Sequence, residues 1–211
     1  MIDPTQFALF VGAALVLAVT PGPGIFYVAA RTLAGGRAEG VASSFGTGLG
    51  GLVHVAAGAL GVSAIVLASA ELFTVLKLLG AGYLVWLGVR AVLAARRDAL
   101  VLAADAPVMG VRRAFREGVA VEALNPKTAA FFLAFIPQFV DPAANVALQF
   151  VVLGVVSVAL NTAADVVVAF LAGRLRDGAG ARPALVRRLR EASGAAMVAL
   201  GVGLALAKRP G

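Results

Sequence analysis

The sequence has no cysteine and only one histidine, His54. The first absence excludes a disulfide framework, thiolate chemistry and any cysteine-ligated metal. The second excludes a multi-histidine metal site within one chain. Charge is also scarce: 14% of the 211 residues are charged and 61% are hydrophobic, with a mean hydropathy of +0.95. A chain this poor in polar surface could not cover a water-soluble core. The charges are missing in blocks, with none between Asp3 and Arg31, none between Glu39 and Glu71, and none between Asp141 and Asp165. Each block exceeds the roughly 20 apolar residues that cross a bilayer core.

Catalytic signatures are lacking as well. There is no Gly-x-Ser-x-Gly, no His-Glu-x-x-His and no aspartate pair in apposed spans, so the chain is not expected to be an enzyme or to need a cofactor. No basic stretch precedes the first apolar run, which continues into Pro21-Gly22-Pro23-Gly24, so no cleavable leader is expected. The net charge of +7 sits in short clusters between apolar blocks. That distribution fits anchoring at a lipid surface and excludes nucleic acid as the partner.

What is present reads as an all-α membrane protein, a six-helix transmembrane bundle in a single domain, 1–211. Spans are expected at about 5–30, 41–69, 72–94, 118–140, 145–173 and 192–207, with a hydrated loop between Arg96 and Arg116 that contains Asp105, Pro107 and Gly110. Lys and Arg fall after spans one (Arg31, Arg37), three (Arg90 to Arg116) and five (Arg174 to Arg190), whereas the alternate connections near Ala70 and Pro142 hold none. The excess of positive charge puts the three basic connections in the cytoplasm and both termini outside. Were span one re-entrant, the N-terminus would instead lie inside.

Two halves, about 1–95 and 118–211, look related across a cytoplasmic loop of about 96–117. Leu87-Gly88-Val89 matches Leu200-Gly201-Val202, and spans one and four each break at a proline motif. Three spans per half reverse the second half, giving a 3+3 inverted-topology repeat.

The proline motifs carry the functional reading. Pro21 and Pro23 lack amide hydrogens, so the carbonyls of Leu17 and Val19 lose their helical partners, and Gly22 and Gly24 loosen the backbone further. Unpaired peptide groups in hydrocarbon cost several kcal/mol, so the break must face protein or a wet cavity. Thr20 is placed to cap the restarting helix, with Pro21 in its first turn. Span four repeats the design: Asn125 is an N-cap, Pro126 fits the first helical position and frees the carbonyl of Glu122, and Lys127 adds positive charge. Two half-helix N-termini could converge on one carboxylate. Two ordinary kinks are the alternative.

Charges inside spans cost at least about 2.5–3.5 kcal/mol each and so mark function or pairing. Asp165 lies one turn beyond Asn161 and Thr162 and suits an ammonium group or a proton; the alternative is a buried pair with Lys77 or Lys127. Lys77, nearer a span end, reads equally as a snorkelling residue, and Glu122 as an interfacial one. His54, central in span two, is a second proton-coupling candidate or else a hydrogen-bonded packing residue. Gly46, Gly50, Ala57 and Gly61 have the spacing of close helix packing.

These residues carry a resemblance. Thr-Pro-Gly-Pro-Gly at 20–24, Gly35-Gly36-Arg37, Gly46 to His54, the run from Leu76 to Leu84, Leu124-Asn125-Pro126-Lys127 and Phe131 to Asp141 together resemble the LysE/RhtB family of bacterial amino-acid exporters over nearly the whole chain. Gly24 departs from the pattern, standing where that family often has an acidic residue. The resemblance implies a multi-pass protein of the bacterial inner (cytoplasmic) membrane that exports amino acids or close derivatives, driven by the proton gradient. The expected partners are an amino-acid substrate, protons and the lipid bilayer, with a homodimer left open. The expected binding residues are Thr20, Pro21, Gly22, Pro23, Gly24, Asn125, Pro126 and Lys127 for the carboxylate, and Asn161 and Asp165 for the ammonium. A passive channel or a non-transporting structural subunit is the competing reading; clustering of the polar residues at one depth favours a transporter.

Overall fold

A computed structural model describes residues 3–68, 70–97, 107–176 and 183–206, and every element in these segments is helical. The order is α1 (Pro4–Val19), α2 (Pro23–Gly35), α3 (Arg37–Ala68), α4 (Ala70–Arg97), α5 (Val111–Ala123), α6 (Pro126–Ala130), α7 (Val146–Arg176) and α8 (Pro183–Leu206). Beyond α6 the chain continues as a wide π turn, Phe131–Phe135, and a tight 3-10 turn, Ile136–Phe139. Asp3 starts α1, its carboxylate accepting from the amides of Thr5 and Gln6. Gly36, in a left-handed conformation at φ 84°, is the whole connection between α2 and α3.

Large apolar side chains point outward. Leu148, Val152, Val155, Val167, Phe170 and Leu171 on α7 are all exposed, which a water-soluble protein does not tolerate in one strip. Among the described residues, α7 alone is long and apolar enough to cross a bilayer as one helix; α1 with α2 and α5 with 126–139 each qualify as one span bent by 46° and 42°. At 32 and 28 residues, α3 and α4 have the length for a crossing.

The interior is closed by small residues and phenylalanines. Gly46 and Gly50 on α3 meet the carbonyl oxygens of Phe115 and Val119 on α5; a Cβ on Gly46 would overlap the first, and one on Gly50 would lie 2.5 Å from the second. Two of the four residues expected to permit close packing therefore do so, whereas a Cβ on Gly61 would meet nothing within 4 Å. Gly201 on α8 lets that helix approach α4 beside the buried Leu84 and Met197. Phe10, Phe131, Phe135 and Phe139 interlock at the end of the bundle where α1 begins, with Phe131 and Phe135 stacked at 4.9 Å.

Several expected boundaries need correction. The break expected within span one is present, between α1 and α2, so the corrections lie elsewhere. The expected hydrated loop is helical from Val111, because Arg112, Arg113 and Arg116 point outward while Ala114 and Gly118 pack inward; Asp105 lies outside the described residues. The last helix begins at Pro183 instead of 192, so Arg187, Arg188 and Arg190 sit on α8. The helix restarting after the first break begins at Pro23. Thr20 therefore does not cap it: it ends α1, and Gly22 takes the N-cap position. Pro23 fixes this boundary by forcing Gly22 into an extended conformation.

Candidate functional site

The first break follows from its prolines. With no amide on Pro21 or Pro23, α1 stops at Val19, and Thr20 turns extended (φ −74°, ψ 114°), its own amide reaching back to Leu17 O at 3.1 Å. The Thr20 hydroxyl donates to Val16 O at 2.6 Å. Leu17 O and Thr20 O then face inward and accept from Lys127 Nζ at 3.3 Å and 2.9 Å. Lys127, 5% exposed, runs along Gly22, where a Cβ would stand 3.0 Å from Cε.

The second break has the same geometry. Asn125 precedes Pro126 at φ −74°, ψ 110°, and its amide reaches back to Glu122 O at 3.0 Å. Its side-chain oxygen accepts from Lys127 N at 3.0 Å, as expected of an N-cap. The carbonyl of Glu122, freed by Pro126, meets His54 Nε2 at 2.9 Å. His54 also packs against Phe132, ring centroids 5.8 Å apart.

Between the breaks lies a crevice. Its lining brings Gly24 and Ile25 of α2 together with Glu122, Asn125, Lys127 and Thr128 of the second break. Helix α3 contributes Thr47, and α7 contributes Asn161 and Asp165. Asp165, 5% exposed, is 2.7 Å from Thr47 Oγ1, which also lies 2.8 Å from Ser44 O. Asn161 donates to Ser157 O at 2.9 Å. Glu122 accepts from Asn125 Nδ2 at 2.9 Å and Thr128 Oγ1 at 2.5 Å, and one of its oxygens stands 2.6 Å from where a Cβ on Gly24 would be. The crevice has a cavity volume of about 20 Å³. That is room for about one water molecule, so a solute needs the helices to part.

The expected residues are therefore brought together in part. Gly24, Asn125, Lys127, Asn161 and Asp165 line the crevice; Thr20 and Gly22 reach it through Lys127. Pro23 and Pro126 are exposed, and Pro21 is half-buried and absent from the lining; these three shape the backbone. Thr162 packs towards Gly48 instead of sharing the crevice with Asp165. Sequence reasoning missed Glu122, Thr47 and Thr128 as lining residues. Glu122 carried a usable signal, an acidic residue three positions before an N-cap asparagine; the two threonines carried none, since hydroxyls are common in transmembrane helices.

A family model of LysE-type translocators matches residues 15–208. The chain is 34% identical to an uncharacterised membrane protein of Pseudomonas aeruginosa, with 96% of both chains covered. It is 30% identical to a homoserine/homoserine lactone efflux protein of Salmonella typhimurium, covering 92% of each. It is also 31% identical to a leucine efflux protein of Klebsiella pneumoniae, over 62% of this chain and 61% of that one. No solved structure matches it.

Proposed function

The chain belongs to the LysE-type translocators, bacterial membrane proteins of amino-acid export, and from that premise we propose a proton-coupled secondary exporter working around the crevice. It would sit in the cytoplasmic membrane with six spans, arranged as a 3+3 inverted repeat, and move a small amino acid or a close derivative such as the efflux relatives are named for.

The observation that carries this reading is the convergence of two breaks with the same backbone geometry, Thr20–Pro21 and Asn125–Pro126, on one buried polar crevice. Matched discontinuities facing a midplane cavity are how inverted-repeat transporters hold a solute. In this assignment the substrate carboxylate meets Lys127 and the amides of Gly24 and Ile25 at the start of α2. The ammonium meets Asp165 and the Asn161 oxygen.

Proton coupling is assigned to Asp165. Thr47 has one hydroxyl proton and two acceptors, Ser44 O and Asp165 Oδ2. A proton on Asp165 completes both bonds. Without it, the hydroxyl must turn from Ser44 to the carboxylate, which then also attracts an ammonium. Proton and substrate would thus exclude each other at one group. His54, the other candidate, is bonded to Glu122 O, and we assign it the role of helix cap.

The test is export of labelled amino acids from loaded membrane vesicles under an imposed pH gradient. Saturable, gradient-dependent flux is expected, abolished by Asp165→Asn and by Lys127→Ala. If both variants transport as the parent does, the site assignment fails.

A further inference from the structure

A second buried charge cluster lies outside the crevice, at the end of the bundle where Arg112, Arg113 and Arg116 are exposed. We propose that Arg31 and Glu39 form the gate that closes the path from this basic end to the crevice, by strapping residues 107–110 across it. This rests on the crevice being the transport site.

Both charges are buried, Arg31 at 5% and Glu39 at 2% exposure, a costly arrangement that needs specific partners. Those partners are backbone groups of one segment. Glu39 Oε1 accepts from Met109 N at 2.9 Å and Gly110 N at 2.7 Å, and Arg31 Nη1 donates to Pro107 O at 3.0 Å. The segment turns into α5 at Gly110, φ 83°, where a Cβ would meet nothing within 4 Å.

The strap is only half fastened. Glu39 Oε2 is buried with no hydrogen-bond partner among the described residues, and Arg31 Nη1 stands 3.7 Å from it. That ion pair is too long for a hydrogen bond, and every backbone group it frees on opening can turn to water.

A seam of polar and small residues leads inward from the strap. On α2, Arg31, Tyr27 and Gly24 follow at helical spacing; on α3, Glu39, Ser43 and Thr47 do the same. Gly24 and Thr47 line the crevice. Halfway along, the Tyr27 hydroxyl donates to Ala114 O at 3.0 Å, a second bar between α2 and α5. The opposite end is shut by interlocked phenylalanines, so the two ends are closed by different physics, and the basic end opens by exchanging hydrogen bonds for water.

The absence of cysteine makes the test direct. A single Val158→Cys places a thiol on the crevice wall, and Arg113→Cys, at an exposed position, marks the basic face. Labelling of the crevice thiol by a small membrane-impermeant thiosulfonate is followed in vesicles of both orientations. With Glu39→Ala or Arg31→Ala, labelling from the basic face is expected to quicken at least about tenfold, the scale of losing charge-assisted hydrogen bonds, with labelling from the other face unchanged. Tyr27→Phe, which removes one hydroxyl and leaves the ring packed, should give a smaller rise on the same face. Unchanged rates in all three variants, or an equal rise from both faces, would overturn the gate. A parent without saturable flux, beside a one-sided rise in the variants, would sink the transport reading alone; parental flux with flat labelling in the variants would sink the gate alone.

Discussion

Lys127 Nζ lies 2.9 Å from the carbonyl oxygen of Thr20, so a lysine of the second helix break closes the first. The reverse also holds: His54, on the first half of the chain, meets Glu122 O of the second break at 2.9 Å. Each break leaves carbonyls without their ordinary i+4 helical donor, only partly served by the reaching-back amides of Thr20 and Asn125, and hydrocarbon offers them no water. The chain answers with side chains exchanged between its halves. This exchange ties the halves together where the crevice forms, so the two breaks act as a joint.

Lys127→Met should therefore damage stability as well as transport. Thr20 O loses the ammonium, and Glu122 and Asp165 lose the only cation among the described residues that line the crevice. Removing one partner of a buried charged network costs about 3–5 kcal/mol. Thermal unfolding in detergent should show a clearly lowered midpoint; an unchanged midpoint would mean the lysine does not brace the first break.

His54→Phe should behave differently. It keeps the ring against Phe132 and removes one hydrogen bond to a carbonyl that Asn125 N also serves. The expected cost is about 1 kcal/mol, with the pH profile of export unmoved. A profile that flattens in this variant would return proton coupling to His54.

Much of this was legible in the sequence, for reasons that differ by residue. The long apolar helices show because uncharged runs of that length rarely form anything else, and Asn125-Pro126 shows because an N-cap followed by proline is a local signal. Thr20 was misplaced because two prolines compete for the first helical position, and only the packed backbone decides that Pro23 takes it. The Lys127 bond to Thr20 joins residues 107 positions apart, and no local pattern encodes such a contact. Glu122 was visible as an intramembrane acid, but its place against Gly24 depends on the close approach of α2 and α5. Gly24, the departure from the family pattern, leaves the space that a Glu122 oxygen faces.

The glycine seam between α3 and α5 predicts an asymmetry between glycines within the seam and one outside it. A methyl at Gly46 would overlap Phe115 O, against rigid backbone, and at Gly118 it would stand 2.8 Å from Ser43 O. Overpacking of this kind costs about 1–3 kcal/mol or more. Gly61→Ala meets nothing within 4 Å and should be neutral or slightly stabilising, by up to about 1 kcal/mol. Melting midpoints of Gly46→Ala, Gly118→Ala and Gly61→Ala decide it; equal effects at all three would mean that α3 and α5 do not meet through these glycines.

Thr47 gives the sharpest test of the proton assignment. Its hydroxyl reaches Asp165 Oδ2 at 2.7 Å and Ser44 O at 2.8 Å with a single proton to share. Thr47→Ser keeps the hydroxyl and should transport with the parental pH profile. Thr47→Val keeps the shape but removes the donor that the carboxylate needs once its proton leaves. A hydrogen bond to a charged group contributes about 1.5–3 kcal/mol. With that partner gone from both protonation states, the pH at which export is half-maximal should move away from the parent's. A Thr47→Val profile that overlays the parent's would mean that the proton rides elsewhere, with Glu122 the remaining carboxylate in the crevice to examine.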